Sequence, residues 1–164
     1  MRPATASKRM HPEEQAERLV ATYADMILRL SYTYLHSTAD AEDICQTVLL
    51  RVLTSNASFT SPEHERAWIL RTTINACKDL LKSAARRTTV ALEAAGVPEA
   101  PAPPDGTVAD AVARLPRDQR EAVHLHYYEG LSIAEVARVV GASEAAVTKR
   151  LSRARATLRH TLGD

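Results

Sequence analysis

Apolar residues return every three or four positions through the first half of the chain. Between Pro12 and Ser37, Leu19, Tyr23, Ile27, Leu30 and Tyr34 fall on one face of a helix. Pro12, Glu13 and Glu14 suit its first turn, where a missing N–H costs nothing and negative charge complements the helix dipole. A second helix is predicted over DAEDICQTVLLRVL, with Ile44, Val48 and Val52 inward. Thr38 is its expected N-cap, and Asp40, Glu42 and Asp43 complement its positive end. The polar stretch TSNASFTSPEHE then holds the only Phe of the chain. Ser61, Pro62 and Glu63 read as N-cap, N1 and N2 of a third helix, whose stripe is Ala67, Leu70, Ile74, Cys77 and Leu81. Three amphipathic helices with short connections predict a small bundle over residues 12–87, behind a disordered N-terminus of residues 1–11.

The periodicity stops near Arg87. Residues 88–106 are rich in Ala and Pro, and Pro98, Pro101, Pro103 and Pro104 exclude a continuous helix. A semi-rigid linker is expected here. Fully extended from Thr88 to Val108 it would reach about 70 Å, so the pieces it joins need not touch. Beyond it, residues 107–164 read as short helices with clear punctuation. TVADAVARL leads to Pro116, which opens PRDQREAVHLHYYE, ended by Gly130. Ser132 and Glu135 form a capping box, Gly141 is a left-handed terminator, and Ser143 caps a last helix through about His160. No strand signal and no internal repeat intervenes. The expected fold is all-α, in two small domains.

Composition adds little to this and removes several classes. Of 164 residues, 45% are hydrophobic and 25% charged, which is ordinary for a globular chain. No apolar run approaches the roughly 20 residues of a membrane span. The basic N-terminus lacks the apolar core of a signal peptide, so a cytoplasmic location without membrane insertion is expected. The two cysteines, Cys45 and Cys77, have no CxxC spacing and lie on apolar stripes, which makes them small core residues. No metal or cofactor motif is present, and none of either is expected.

Charge changes the picture. The net charge is only +1, yet Val147 to His160 carries Lys149, Arg150, Arg153, Arg155 and Arg159 without one acid. This basic helix follows a short capped helix and a turn containing Gly, the arrangement of a helix-turn-helix. Ile133, Val136 and Val140 are expected inward in the first helix, and Val147, Leu151 and Leu158 in the second. Ala137 stands where two crossing helices approach closely. The outward face of the last helix then carries Ser143, Glu144, Thr148, Lys149 and Ser152, flanked by Arg150, Arg153 and Arg155. Such a helix presents its N-terminal side chains to base edges in the major groove, while flanking cations hold phosphates. The bland alternative, a solvated basic face, does not account for the caps and the turn beside it.

The order of these pieces resembles a bacterial RNA polymerase sigma factor of the small extracytoplasmic-function (ECF) group. The resemblance rests on DAEDICQTVLLRVL, on RAWILRTTINACKDLLKSAARR, and on LPRDQREAVHLHYYEGLSIAEVARVVGASEAAVTKRLSRAR. It implies a region 2 followed by a region 4, with core RNA polymerase and double-stranded and locally melted promoter DNA as partners. An anti-sigma protein joins them as a candidate. It places polymerase docking, on the β′ clamp helices, at Asp40, Glu42, Asp43, Gln46 and Arg51. Here Thr47 stands where the family often has an acid, and Leu49 and Leu53 where it often has aromatics. It places −10 recognition at Phe59, Arg66, Trp68, Arg71, Asn75 and Lys78, where cations would hold backbone and a pocket an unstacked base. Trp68 also suits packing, and that is the reading preferred for it. Recognition of −35 falls to the basic helix. Relatives often read Gly-Thr-Val-Lys-Ser where this chain has Ala145 to Lys149, which moves the lysine about 100° around the helix.

Two other classes compete. A helix-turn-helix regulator that never docks on polymerase would leave the first domain's polar face unused. A small hydrolase built on Asp40 and Asp43 lacks any nucleophile–base spacing, and a helix N-terminus alone explains their sign. The expected protein is not an enzyme and has no catalytic residues.

Overall fold

The computed structural model describes residues 10–95, of which 89–95 by backbone alone, and residues 107–163. Most of the expected disordered N-terminus and residues 96–106 of the expected linker lie outside the described residues. Within them every regular element is helical. Helices α1 (Pro12–Leu35), α2 (Thr38–Thr54) and α3 (Pro62–Ala95) pack on one another. Their core is the predicted stripe, with Leu19, Ile27, Leu30, Val48, Leu70, Ile74 and Cys77 all buried. The second unit comprises α4 (Val108–Ala113), α5 (Arg117–Val123), α6 (Ile133–Val140) and α7 (Glu144–Leu162). A π-helical turn over His124–Tyr128 extends α5.

The elements depart from expectation in four places. The N-cap of α2 is Ser37 rather than Thr38: the Ser37 hydroxyl accepts from the Asp40 N–H at 3.2 Å. Both residues are good caps, and the extended backbone at Ser37 decides between them. Helix α3 runs on to Ala95, through residues assigned to the linker. Loss of periodicity there marks loss of a packing partner, whereas Ala, Leu and Glu still favour helix once nucleated. The segment PRDQREAVHLHYYE is not uniformly α-helical, since the Glu129 N–H reaches back to the His124 carbonyl at 3.1 Å. Finally, α6 buries Val136, Ala137 and Val139, leaving Ile133 and Val140 only half-buried. In so short and apolar a helix, its neighbours α3 and α7 set the rotation.

The two units touch. Helix α3 packs against α6, and α1 against α5. The sequence, which left the pieces free of one another, gave no sign of this. Helix α3 also buries Ile69 and Thr73, on the side of Glu65, which faces α1, away from the side that Arg71 and Lys78 turn to the second domain. The Thr73 hydroxyl donates to the Ile69 carbonyl at 2.8 Å, so its burial leaves no orphaned donor. Cys45 and Cys77 are free and buried, and burial pushes the Cys77 thiol up to about 11.

Candidate nucleic-acid and polymerase interfaces

The helix-turn-helix is assembled by its caps. Ser132 and Glu135 bond reciprocally, N–H to carboxylate at 3.2 Å and N–H to hydroxyl at 3.1 Å. Gly141 ends α6 with φ at +71°, a conformation costly for any residue with a Cβ. Ser143 then starts α7 by accepting from the Ala146 N–H at 3.1 Å. Val147, Leu151 and Ala154 bury one face of α7, with Leu158 half-buried behind them.

With that face inward, Ser143, Glu144, Thr148, Lys149, Ser152, Arg153 and Arg155 are all exposed. They are not equivalent. Lys149, Ser152 and Arg153 lie opposite the buried stripe, at about 100° per residue. Arg150 and Arg155 sit on its shoulders and have partners inside the domain. Arg150 is half-buried, 3.7 Å from the Asp118 carboxylate. Arg155 donates to the Tyr127 hydroxyl at 2.9 Å. The Thr148 hydroxyl is engaged at home, donating to the Glu144 carbonyl at 2.9 Å. In the N-terminal half of this helix, the cations with no partner inside the domain are Lys149 and Arg153; Arg159, also exposed, lies in its last turn.

On the first domain, Asp40, Glu42, Asp43, Gln46 and Arg51 are exposed along α2. Leu50 and Leu53 are exposed among them, 60% and 40% respectively, so this face mixes apolar and polar contact surface. Phe59 and Trp68 are half-buried against the core and meet edge to face, with ring centroids 5.7 Å apart. His64 closes the cluster at 5.5 Å from Phe59.

The remaining −10 candidates divide sharply. Asn75 is exposed. Arg66, Arg71 and Lys78 instead face the second domain. Arg66 donates to the Glu129 carbonyl at 2.6 Å, with the Glu129 carboxylate 3.4 Å away. Arg71 donates to the Arg138 carbonyl. Lys78 lies 3.8 Å from the Glu121 carboxylate. Between α3 and α6 an open cleft of about 670 Å³ remains, lined by His64, Arg66, Trp68 and Arg71 on one side and Arg138 and Val139 on the other.

The residues that receive these cations were invisible in the sequence. Glu129 is also approached by Arg29 at 3.4 Å and by His124 Nε2 at 3.2 Å. Burial pushes its carboxyl up, but His124 and Arg29 outweigh burial and hold it below the usual range. Glu121 is different: burial dominates and raises its carboxyl, against the pull of Tyr34 and Lys78. Neither acid takes a role from periodicity or capping, so only docking of the two units reveals their partners.

A two-domain helical chain with a polar, partly apolar α2 face and a capped helix-turn-helix is the architecture of a transcription initiation factor. Comparison with protein families agrees at both ends: residues 19–87 match sigma-70 region 2, and residues 106–158 match sigma-70 region 4. Among curated proteins, the ECF RNA polymerase sigma factor SigM of Mycobacterium tuberculosis is 33% identical over 178 residues, covering 98% of this chain and 91% of its own. Among solved structures, the sigma factor RpoE of Bartonella quintana, in complex with the anti-sigma factor NepR, superposes with a TM-score of 0.69 at 22% identity. That alignment covers 89% of this chain and 95% of RpoE. CnrH in complex with the cytosolic domain of CnrY superposes with a TM-score of 0.65 at 25% identity, covering 92% and 94%.

The chain belongs to the ECF RNA polymerase sigma factors: it binds core RNA polymerase and directs promoter-specific initiation of transcription. The alternative of a regulator that never docks on polymerase finds no support.

Proposed function

We propose that this sigma factor divides its work among three surfaces. The exposed face of α2, with Asp40, Glu42, Asp43, Gln46 and Arg51, docks on the β′ clamp helices. Exposed Leu50 and Leu53 supply apolar area to the same contact. The N-terminal half of α3 and the loop before it, with Phe59, Arg66, Trp68, Arg71, Asn75 and Lys78, meet the −10 element as it melts. Helix α7 enters the major groove at −35. Lys149 and Ser152 face the bases there, and Arg153 reaches a phosphate. Arg150 and Arg155 act from the shoulders of α7, where Asp118 and Tyr127 fix their positions.

The observation that carries this reading is the outward, unpartnered side of α7 on a fully capped helix-turn-helix, joined in one chain to a region 2 bundle. Catalysis belongs to the polymerase, and no activity of the chain's own is needed. Its place is the cytoplasm, where polymerase and promoter are. Its fold relative RpoE was solved with an anti-sigma factor, and a protein of that class is the regulatory partner expected here. The deciding experiment is co-purification of the full chain with core polymerase, followed by footprinting of the holoenzyme on promoter DNA. Protection at both −35 and −10 is expected, and failure to bind core polymerase would overturn the docking assignment.

A further inference from the structure

Three of the cations assigned to promoter DNA are already engaged. Arg66 and Lys78 stand 12 residues apart on α3, about 18 Å along the helix axis. Each faces a carboxylate of the second domain, Glu129 and Glu121, whose side chains are both only 4% exposed. Arg71 between them donates to the Arg138 carbonyl. Buried carboxylates are costly unless cations and hydrogen bonds complete them. Cations of the opposite domain stand against both: Arg29 and Arg66 against Glu129, and Lys78 at 3.8 Å from Glu121. From its own domain Glu129 has His124, whose Nδ1 lies 3.2 Å from the Thr33 hydroxyl of α1. The two acids therefore occupy, along one helix, positions at which a nucleic-acid backbone would offer its own anions.

We propose that Glu121 and Glu129 are phosphate surrogates. In the free chain they hold the cations with which α3 grips promoter DNA, and the chain masks its own −10 face until the domains part. This rests on the −10 role proposed for α3. The closed form cannot also span the promoter, whose two elements lie more than one duplex turn apart, each turn being about 34 Å. Opening is thus part of function, and the latch opposes it only when polymerase is absent.

The test is binding of a labelled, mixed-sequence single-stranded DNA by the full free chain across a salt series, with small-angle X-ray scattering of the same samples. Glu121→Gln with Glu129→Gln removes both charges at nearly constant volume. The variant should show a larger radius of gyration. Its apparent affinity should rise about tenfold if the wild type is open about a tenth of the time. Its salt slope should steepen by about 1.4, two contacts at about 0.7 each. Adding Arg66→Ala and Lys78→Ala to the opened variant should return the slope to its starting value. Arg29→Ala weakens the latch from outside the DNA candidates, and it should give the same changes in smaller measure. It replaces the double variant if circular dichroism shows that one unfolded. A latch variant as compact as the wild type overturns the latch and leaves the DNA face standing. Expansion without gain in affinity overturns the proposal through the DNA face itself, and the assignment of Arg66 and Lys78 with it.

Discussion

Glu65 shows how one side chain fixes the first domain. It accepts two bonds from Arg18, at 2.9 and 2.8 Å, and one from the Tyr23 hydroxyl at 2.7 Å, tying α3 to α1. Arg18 holds its carboxyl below the usual range, outweighing burial, which acts in the other direction. Burial, with Glu65 adding to it, pushes Tyr23 up to about 12, so the phenol remains a donor at any physiological pH. A carboxylate with a depressed folded-state pKa stabilises the fold above its unfolded value of about 4.3. That contribution disappears as pH falls through the folded value. Glu65→Gln should therefore cost about 1–3 kcal/mol near neutrality. It should also flatten the acid limb of the stability profile, as read by thermal denaturation from about pH 7 to about pH 3. An unchanged acid limb would mean that other carboxylates carry it. The network was hidden in the sequence because Arg18 and Glu65 are 47 residues apart.

Helices α2 and α7 each turn an apolar stripe inward and leave the opposite face for a partner. For α2, Asp43→Arg with Gln46→Ala should abolish holoenzyme formation and leave circular dichroism unchanged, since both residues are exposed. Normal polymerase binding by this variant would remove α2 from the interface. For α7, the proposed roles set a base-facing Lys149 apart from a phosphate-facing Arg153. Arg153→Ala should lower the magnitude of the salt slope by about 0.9 and weaken all duplexes alike. Lys149→Ala should cost about 1–3 kcal/mol at one −35 position and relax preference there. Holoenzyme binding to −35 variants across a salt series reads both, and the reverse outcome would mean that α7 is rotated in the groove. The wheel that orients α7 was readable from Val147 and Leu151. The diversion of Arg150 to Asp118 was not, because Asp118 belongs to another helix.

At the scale of the molecule, docking couples two units that composition and periodicity present as independent. The carboxylates at the junction need cations from the other domain, so the units should unfold together while they stay docked. Calorimetry of the free wild type is expected to give one transition, and the Glu121→Gln, Glu129→Gln variant two. Two transitions in the wild type would mean that the junction contributes little. The extension of α3 also shortens the tether. From Ala95 to Thr107 the chain spans at most about 40 Å when fully extended. Helical rise over residues 88–95 adds only about 10 Å. The reach is thus nearer 50 Å than 70 Å, still enough to separate the domains by more than one turn of duplex.

The sequence by itself determined every element whose stability is local or whose buried face repeats. The stripe from Leu19 to Tyr34, the Ser132–Glu135 box, the Gly141 terminator and the basic face of α7 follow from periodicity, capping and backbone freedom. Each of these signals lies within a few residues of what it specifies. Tertiary structure alone decided the rotation of α6, the pairing of Arg18 with Glu65, and the burial of Glu121 and Glu129. An acid has no intrinsic address: in a sequence Glu129 reads as a solvated residue before a turn. It becomes a buried partner of Arg66 only because a helix 63 residues away brings the cation to it.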